Sequence, residues 1–235
     1  MFNLDIRLNK VSEIINTCDT LADIGSDHGY LPIYLLKTNK INRALITDMN
    51  KGPLDNAKRT TAKYNVSEKC DFLLGDGLNC LRGLPSPDVI SICGMGGELI
   101  KAIISENEDI ARKSDLVLQP MNNPAILRKY LLSKGYEIYA EGIVKDDYHF
   151  YQMFAARYSA QSFDTSSYQE ADYEFADILI SQKDSTMLEY LQYKKDVQEK
   201  IYINIKENSA DNDDLIKKAE NTLYSIKERI QKYEA

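Results

Sequence analysis

Short apolar runs alternate with amphipathic segments through the first two thirds of the 235-residue chain. Most of the runs end at glycine, proline or aspartate and are followed by apolar residues at helical spacing. Strands joined through helices lie parallel, because each right-handed crossover returns the chain to the same edge of the sheet. The pattern predicts an α/β fold, a doubly wound Rossmann-like sheet that binds ligands at the carboxyl ends of its strands.

The expected elements follow from this alternation. Parallel strands are predicted at residues 20–25, 43–48, 70–74, 88–93 and 115–119, and helices at residues 30–38, 51–65, 97–106 and 124–133. Two further strands, residues 136–144 and 149–157, flank a turn-like Lys-Asp-Asp sequence. This spacing predicts an antiparallel hairpin at one side of the sheet.

The character of the sequence changes after Tyr158. Residues 159–168 are polar and rich in serine, as in a linker. Two stretches, residues 170–207 and 213–233, carry apolar residues at steps of three and four and predict an antiparallel helical hairpin. We therefore expect two domains, 1–158 and 159–235. A dimerising coiled coil is the alternative for these helices, which leaves the oligomeric state open between a monomer and a weak homodimer.

Composition narrows the functional classes. The net charge is −7, and the acidic excess lies after Tyr158, so charge alone does not indicate a nucleic-acid partner. No apolar run reaches the roughly 18 residues that a membrane helix needs, and the N-terminus lacks a secretory signal, so a cytoplasmic protein without a membrane partner is expected. The cysteines form no CxxC pair and only two histidines occur, so no metal site is expected and the thiols should be free.

The loop after the first strand carries the main chemical signal. It reads D-I-G-S-D-H-G, with Asp23, Gly25, Asp27 and His28 before a predicted helix. Glycine lets the backbone approach a ligand closely. In a dinucleotide site, the N-terminus of the following helix would face a pyrophosphate. Two carboxylates would repel a pyrophosphate but attract the ammonium and sulfonium of S-adenosylmethionine. The loop therefore predicts a cofactor site for S-adenosylmethionine rather than for a nicotinamide dinucleotide.

Acidic residues also follow the next two strands. Asp48 ends the second strand, where a carboxylate can accept hydrogen bonds from both ribose hydroxyls of an adenosine cofactor. Met49 is predicted to pack on the adenine, and Asp76 with Gly77 to receive its exocyclic amine. Each feature is common in turns, but three carboxylates after three successive strands form a more specific pattern.

Two further segments border the expected site. After the fourth strand, Cys93, Gly94, Met95 and Gly96 are predicted to line the cofactor. Substrate contacts are expected where glycine leaves room for a planar base and where amide side chains can hydrogen-bond to the edge of that base. These residues are Gly97, Gln119, Pro120 and Asn122.

Three strings of the sequence, ADIGSDHGYLPIYLL, CGMGGE and LQPMNNP, resemble in order and spacing the bacterial tRNA (adenine(22)-N1)-methyltransferases, the TrmK family. The resemblance covers the whole chain, including Arg7, Leu8 and Val11 near the N-terminus and the C-terminal helices. It implies methyl transfer from S-adenosylmethionine to N1 of adenine 22 in tRNA, with the helical arm helping to hold the RNA.

The resemblance also implies roles in catalysis. N1 of neutral adenine has a free lone pair, so proximity and alignment replace a general base. Asp27 is expected either to stabilise the cationic product or to bind the cofactor ammonium. His28 is expected to orient the base or a phosphate, and Tyr30 to stack. Arg7 and Lys10 are expected to grip tRNA phosphates.

Two alternatives remain open from the sequence. One is an S-adenosylmethionine-dependent methyltransferase that acts on a protein or a small molecule. The other is a non-catalytic scaffold that binds S-adenosylmethionine and recruits a partner through its helical arm. Methyl incorporation into bulk tRNA separates both from the RNA methyltransferase, and binding that ignores salt would favour a substrate other than RNA.

Overall fold

The computed structural model describes residues 3–160, 166, 168, 170–208 and 212–235. The chain divides into two compact units, Met1–Thr165 and Ser166–Ala235. Most of the predicted linker, residues 159–168, lies outside the described residues. The predicted domain boundary after Tyr158 therefore stays a prediction, seven residues before the point where the two units divide.

A seven-stranded sheet forms the centre of the first unit. Its strands are β1 (Thr20–Ile24), β2 (Arg43–Asp48), β3 (Cys70–Leu74), β4 (Val89–Met95), β5 (Asp115–Pro120), β6 (Tyr136–Asp146) and β7 (His149–Tyr158). Their order is β3-β2-β1-β4-β5-β7-β6. The first five strands pair in parallel, and β7 pairs antiparallel with both β5 and β6. The predicted doubly wound sheet and its edge hairpin are confirmed.

Helices cover both faces of this sheet. They are α1 (Ile6–Ile14), α2 (Tyr30–Lys37), α3 (Lys51–Lys63), α4 (Gly97–Ser105), α5 (Glu108–Ala111) and α6 (Pro124–Ser133). Successive strand residues point to opposite faces, so Leu21 packs in a cluster with Ile33 while Ala22 packs in another with Ile100. Two separate apolar cores result, which leaves the strand ends free to carry polar residues.

The sequence interpretation missed three short elements of this unit besides α1. They are α5 and two 3₁₀ helices, Ser67–Lys69 and Gly77–Leu81. Each has five residues or fewer, too few to show the apolar repeat on which the helix prediction depended. The second 3₁₀ helix matters for the site, because it begins directly after Asp76.

The N-terminal helix α1 is the larger omission. It begins after Asp5, whose Oδ1 accepts a hydrogen bond from the backbone N–H of Leu8 at 2.8 Å. Val11 and Ile15 are buried against the sheet. Only one face of the helix is apolar, and the charged residues on the other face made the segment look like a polar terminus.

The cap of α1 gives a first test. We expect Asp5→Ala to lower the free energy of unfolding by about 1 kcal/mol, because the first turn of α1 loses its side-chain acceptor. Asp5→Asn retains an acceptor oxygen and is the matched control. Chemical denaturation of the two variants beside the unaltered protein measures the difference. Equal stability of the alanine and asparagine variants would contradict the assignment of the cap.

The second unit differs from its sequence prediction. The single helix expected over residues 170–207 is wrong: a 3₁₀ helix (Glu170–Glu174), α7 (Asp177–Ser181) and α8 (Ser185–Asn208) take its place. The chain turns at Lys183, which has a φ of +58°, and Asp184 caps α8 by accepting from the N–H of Met187 at 2.9 Å. The turn chemistry of Asp184 therefore overrides the helical periodicity.

The last helix, α9 (Asp213–Glu234), packs along α8. The hydroxyl of Tyr233, near the end of α9, donates to the carbonyl of Lys183 just before α8, so the two helices run antiparallel. This confirms the predicted direction of the two long helices, while the turn between them, residues 209–211, lies outside the described residues. In the described part of the chain, no helix is both long enough and apolar enough to span a bilayer.

Candidate active site

A cavity of about 460 Å³ opens at the carboxyl edge of the sheet, where β1, β4 and β5 end beside the start of α1. Its volume falls in the range of small-molecule sites, and its position is where open α/β sheets bind ligands. Nine predicted site residues line it: Arg7, Asp23, Gly25, Asp27, His28, Tyr30, Cys93, Gly94 and Gln119. The strand order therefore brings together segments that are far apart in sequence.

Asp23 is the most buried acid of this cavity, with 7% of its surface exposed. The Oγ of Ser91 donates to its Oδ1 at 2.7 Å, and Ser26 also hydrogen-bonds to the carboxyl. Burial raises the pKa of Asp23 above its usual value, and the two hydroxyls oppose the shift. Within the described residues no ion pair neutralises this carboxylate, so the site is electrostatically suited to a cationic ligand.

The loop between β1 and α2 curves around the cavity through two left-handed residues. Gly25 has a φ of +74° and Gly29 a φ of +69°. The N–H groups of Gly25 and Ser26 both donate to the carbonyl of Thr47, at 3.0 and 2.9 Å. These bonds hold the loop against the end of β2, so a ligand that touches Gly25 also lies close to the segment containing Asp48.

Asp48 and Asp76 follow the next two strands as expected. Asp48 is 9% exposed, and its Oδ1 accepts from the N–H of Asn50 at 2.7 Å. Gly75 donates to the carbonyl of Asp48 at 3.0 Å, which joins the two strand ends. Asp48, Met49, Asp76 and Gly77 do not line the cavity. They lie on its β2–β3 side, and Met49 is 65% exposed.

The segment after β4 differs in detail from the predicted loop. The strand continues to Met95, which pairs with Pro120 after an irregularity between Cys93 and Met95. Gly94 takes up the distortion with a φ of +77°, and its N–H donates to Oε1 of Gln119 at 3.2 Å. The backbone of β4 thus bulges at the cavity wall, which a glycine allows at low conformational cost.

Gln119 is fully engaged within the protein. It is 1% exposed, and its Nε2 donates to the carbonyl of Pro120 at 3.0 Å. Its Oε1 holds Gly94, as above. A side chain whose polar atoms are both satisfied by backbone is positioned to shape the cavity wall, whereas the sequence suggested a residue that reads a base.

Gly97 begins α4 and meets the segment after β5. Its N–H donates to the carbonyl and to Oδ1 of Asn122, at 3.2 and 3.3 Å. A Cβ on Gly97 would lie 2.6 Å from the carbonyl oxygen of Asn123 and 2.9 Å from that of Asn122. Gly96 faces the same Asn122 side chain. Only glycine permits this contact. The lining of the cavity does not include Met95, Gly96, Gly97, Pro120 or Asn122, although the sequence predicted all five as site residues.

The two basic residues predicted at the mouth have different positions. Arg7 lines the cavity; its Nη1 donates to the sulfur of Met121 at 3.0 Å, and its Nη2 pairs with Asp5 at 3.3 Å. Lys10 does not line the cavity and pairs with Glu13 at 3.2 Å, one turn farther along α1. Among the predicted cations, the structure therefore brings Arg7 alone to the site.

The three residues predicted to act in catalysis lie together on the outer side of the loop. Oδ2 of Asp27 lies 3.2 Å from Nε2 of His28, and the rings of His28 and Tyr30 stack with centroids 5.3 Å apart. The Asp27 side chain is 64% exposed and that of His28 43% exposed. All three residues line the cavity, and their exposure leaves them accessible to a large substrate.

Cys93 lies in the cavity wall between the acids and Gln119. Burial, followed by the nearby charge of Asp23, raises the pKa of its thiol well above the usual value, and Arg7 acts in the opposite direction. The thiol is therefore neutral at physiological pH and contributes shape rather than charge. The part of the chain that the structure describes holds no group of three His, Cys, Asp or Glu side chains placed to bind a metal.

Comparison with known proteins decides the family. The sequence model of the family described as tRNA (adenine(22)-N(1))-methyltransferase, TrmK, matches residues 21–234. The chain belongs to this family. The TrmK resemblance inferred from the three sequence strings is thereby confirmed.

Individual TrmK relatives agree with this assignment. The Bacillus subtilis tRNA (adenine(22)-N(1))-methyltransferase is 34% identical over 154 residues, 65% of this chain. The chain spans less than two thirds, 64%, of that curated relative. The structure of M. capricolum TrmK with S-adenosyl-homocysteine has a TM-score of 0.81 at 27% identity, and the match covers 98% of this chain and 99% of the M. capricolum chain. The crystal structure of a Streptococcus pneumoniae protein with S-adenosyl-L-methionine has a TM-score of 0.81 at 26% identity. That match covers 97% of this chain and 100% of the S. pneumoniae chain.

Several residues of the TrmK site had not been expected from the sequence. Ser91 donates a hydrogen bond to Asp23, and its signal was a lone hydroxyl within an otherwise apolar buried strand. Asp5, Ser26 and Met121 also line the cavity. Asp5 could not be placed there without the position of α1, which local sequence patterns did not predict. Met121 directly follows β5, so the predicted end of that strand was a usable signal.

Proposed function

We propose that the protein transfers a methyl group from S-adenosylmethionine to N1 of adenine 22 in tRNA. The observation that carries the proposal is the buried, unneutralised carboxylate of Asp23 at the end of β1, in a chain of the TrmK family. Such a carboxylate needs a cationic partner, and the cofactor's ammonium or sulfonium is one. The named activities and ligands of the TrmK relatives support the same reaction.

Residues of the cavity and of its β2–β3 side would together hold this cofactor. Asp23 and Gly25 would hold its amino-acid part, with Asp48 on the ribose and Asp76 with Gly77 on the adenine amine. Met49 would cover the adenine. Cys93 and Gly94 would form the wall beside the sulfonium, with Met95 and Gly96 next to them in the chain. When bound, S-adenosylmethionine supplies an electrophilic methyl group.

The protein's own residues then align the acceptor. Gly94 keeps the cavity wall free of a side chain, so that a planar base can approach, and Gln119 holds Gly94 in place. Gly97 acts indirectly, because it lets the segments after β4 and β5 meet. No residue needs to remove a proton, because N1 of neutral adenine already has a lone pair. Catalysis rests on proximity together with carboxylate charge near the cation that develops on the base.

We assign to Asp27 the role of stabilising the positive charge that develops on the base. We expect Asp27→Asn to lower turnover about tenfold at saturating cofactor, a modest effect because the side chain is 64% exposed and its field is screened by water. Single-turnover methylation of a tRNA transcript measures it. Unchanged turnover with weaker cofactor binding would instead assign Asp27 to the cofactor ammonium.

Access to N1 requires that the adenine leave its stacked position, because N1 lies on the Watson–Crick edge. Tyr30 and His28, which stack on each other and line the cavity, would receive the ring. Arg7 at the mouth would contact the backbone, and Lys10, farther along α1, a more distant phosphate. Asn122 and Pro120 would act indirectly by fixing the floor of the site.

The decisive experiment is methyl transfer from labelled S-adenosylmethionine to transcripts with adenine or guanine at position 22, followed by nucleoside analysis. We expect N1-methyladenosine in the first transcript and no incorporation in the second. Incorporation into protein or small molecules instead would favour the alternative methyltransferase. Cofactor binding with no transfer to any substrate would favour a scaffold, and uptake of a nicotinamide dinucleotide alone would overturn the proposal.

The cellular setting follows from the substrate. We infer that the protein works in the cytoplasm, where unmodified tRNA is available. The oligomeric state is proposed to be a monomer or a weak homodimer through the helices of the second unit, and light scattering across concentrations distinguishes the two.

A further inference from the structure

The β6–β7 hairpin projects past the carboxyl edge of the sheet. β7 pairs with β5 only up to Leu118↔Phe154, whereas β6 and β7 stay paired to Asp146↔His149. Because β7 runs antiparallel to β5, the extra length extends from the edge that holds the cavity. The tip, residues 145–149, is exposed throughout, and Tyr148 is 89% exposed.

Aromatic contacts connect this tip with the cavity. The guanidinium of Arg7, a cavity residue, lies 5.4 Å from the centroid of the Tyr151 ring. Tyr151 in turn stacks on His149, with centroids 6.2 Å apart and planes inclined by 22°. Tyr148 is the next residue towards the tip. We name Arg7, Tyr151, His149 and Tyr148 the hairpin strip.

The base of the hairpin is firmly held. Nη2 of Arg128 on α6 pairs with Glu141 of β6 at 2.8 Å and donates to Gln152 of β7 at 3.0 Å, and the Arg128 and Glu141 side chains are 6% and 4% exposed. On the other side α1 packs so closely that a Cβ on Gly142 would lie 2.8 Å from Ile14. The strip is therefore a protrusion on a rigid support, which lowers the entropy lost when it binds.

We propose that the exposed end of the hairpin strip, Tyr148 and His149, binds unpaired nucleobases of the RNA substrate beside the extracted adenine, with Tyr148 stacking on one of them. This inference rests on the proposed function. Extraction of an adenine exposes the faces of its neighbours, and aromatic rings and arginine planes are the groups that proteins stack on unpaired bases. Tyr148 and His149 offer such rings at the tip, and Tyr151 with Arg7 connects His149 to the cavity.

Charge at the tip favours bases over phosphates as the contact. Asp146 and Asp147 directly precede Tyr148 in the chain, and the positive charge of Lys145 only partly balances their negative charge. Carboxylates repel phosphate groups, so the tip would add little counterion release. Stacking on a base is insensitive to salt, whereas a phosphate contact changes the slope of affinity against salt. The two modes are therefore separable.

The test uses the full-length protein with Tyr148→Ala, the conservative Tyr148→Phe, and Leu84→Ala as a control at an exposed apolar residue outside the cavity. Affinity for a tRNA transcript is measured at several salt concentrations, with cofactor affinity and circular dichroism in parallel. We expect Tyr148→Ala to weaken tRNA binding about tenfold at every salt concentration, with an unchanged salt slope. Phenylalanine should restore binding to within about twofold, and the control and cofactor affinity should not change.

Other outcomes overturn the inference. If Tyr148→Ala binds tRNA as the unaltered protein does while that protein forms N1-methyladenosine, the strip is not a base-binding surface although the proposed function stands. A change in oligomeric state with unchanged RNA affinity assigns the tip to protein association instead. If the unaltered protein neither binds nor methylates tRNA, both proposals fail.

Discussion

Gly97→Ala is expected to reduce methyl transfer by about a hundredfold or more and to lower the free energy of unfolding by about 2–3 kcal/mol. The added Cβ would lie 2.6 and 2.9 Å from two backbone oxygens of the segment after β5. Neither oxygen can move like the end of a flexible side chain, so the segments after β4 and β5 must separate. That movement displaces the wall against which the acceptor base aligns.

Gly52→Ala supplies the matched control. Gly52 lies in α3 with nothing within 4 Å of an added Cβ, and alanine is the better helix former. We expect this variant to be more stable by about 0.5–1 kcal/mol and to retain full turnover. Urea denaturation and single-turnover kinetics give both quantities. A Gly97→Ala variant as active as Gly52→Ala would show that the close contact at Gly97 has no part in positioning the base.

Asp23→Asn should weaken cofactor binding about a hundredfold, because the substitution removes the buried negative charge opposite the cation while keeping the shape of the side chain. Calorimetry with S-adenosylmethionine measures the loss. Ser91→Ala is the comparison variant: it removes a hydrogen bond to the carboxylate but leaves the charge, so we expect a smaller loss of affinity.

Asp23→Asn should weaken cofactor binding but increase the stability of the cofactor-free protein. Burial raises the pKa of Asp23 in the folded state above that in the unfolded chain, so the folded state holds the proton more tightly. The stabilising effect of protonated Asp23 is complete below the unfolded pKa and is lost as pH rises through the folded pKa. Asp23→Asn removes that loss.

Without cofactor, Asp23→Asn should thus be more stable than the unaltered protein at neutral pH, with a difference that shrinks towards about pH 4. Urea midpoints of the two proteins across this range provide the measurement. If the difference in stability instead grew towards acid pH, the surroundings of Asp23 would favour its charged form, which would contradict the raised pKa.

Prediction from sequence worked best where a local pattern reports a local structure. The period of the apolar residues located all seven strands to within about two residues at each end, and the glycine loop with its acids located the carboxyl edge of the sheet. It failed where turn chemistry competes with periodicity. Lys183 and Asp184 break the helix expected over residues 170–207.

The sequence by itself determined that acids and glycines stand at the carboxyl ends of successive strands, because an apolar run and the residues that follow it are local features of the chain. Only the tertiary structure decided which side chains pair. Ser91 reaches Asp23 because β1 and β4 are neighbours with Asp23 opposite Ser91 in register, and Arg7 reaches the cavity because α1 packs beside the hairpin. Such contacts join residues distant in the chain, so no local periodicity encodes them.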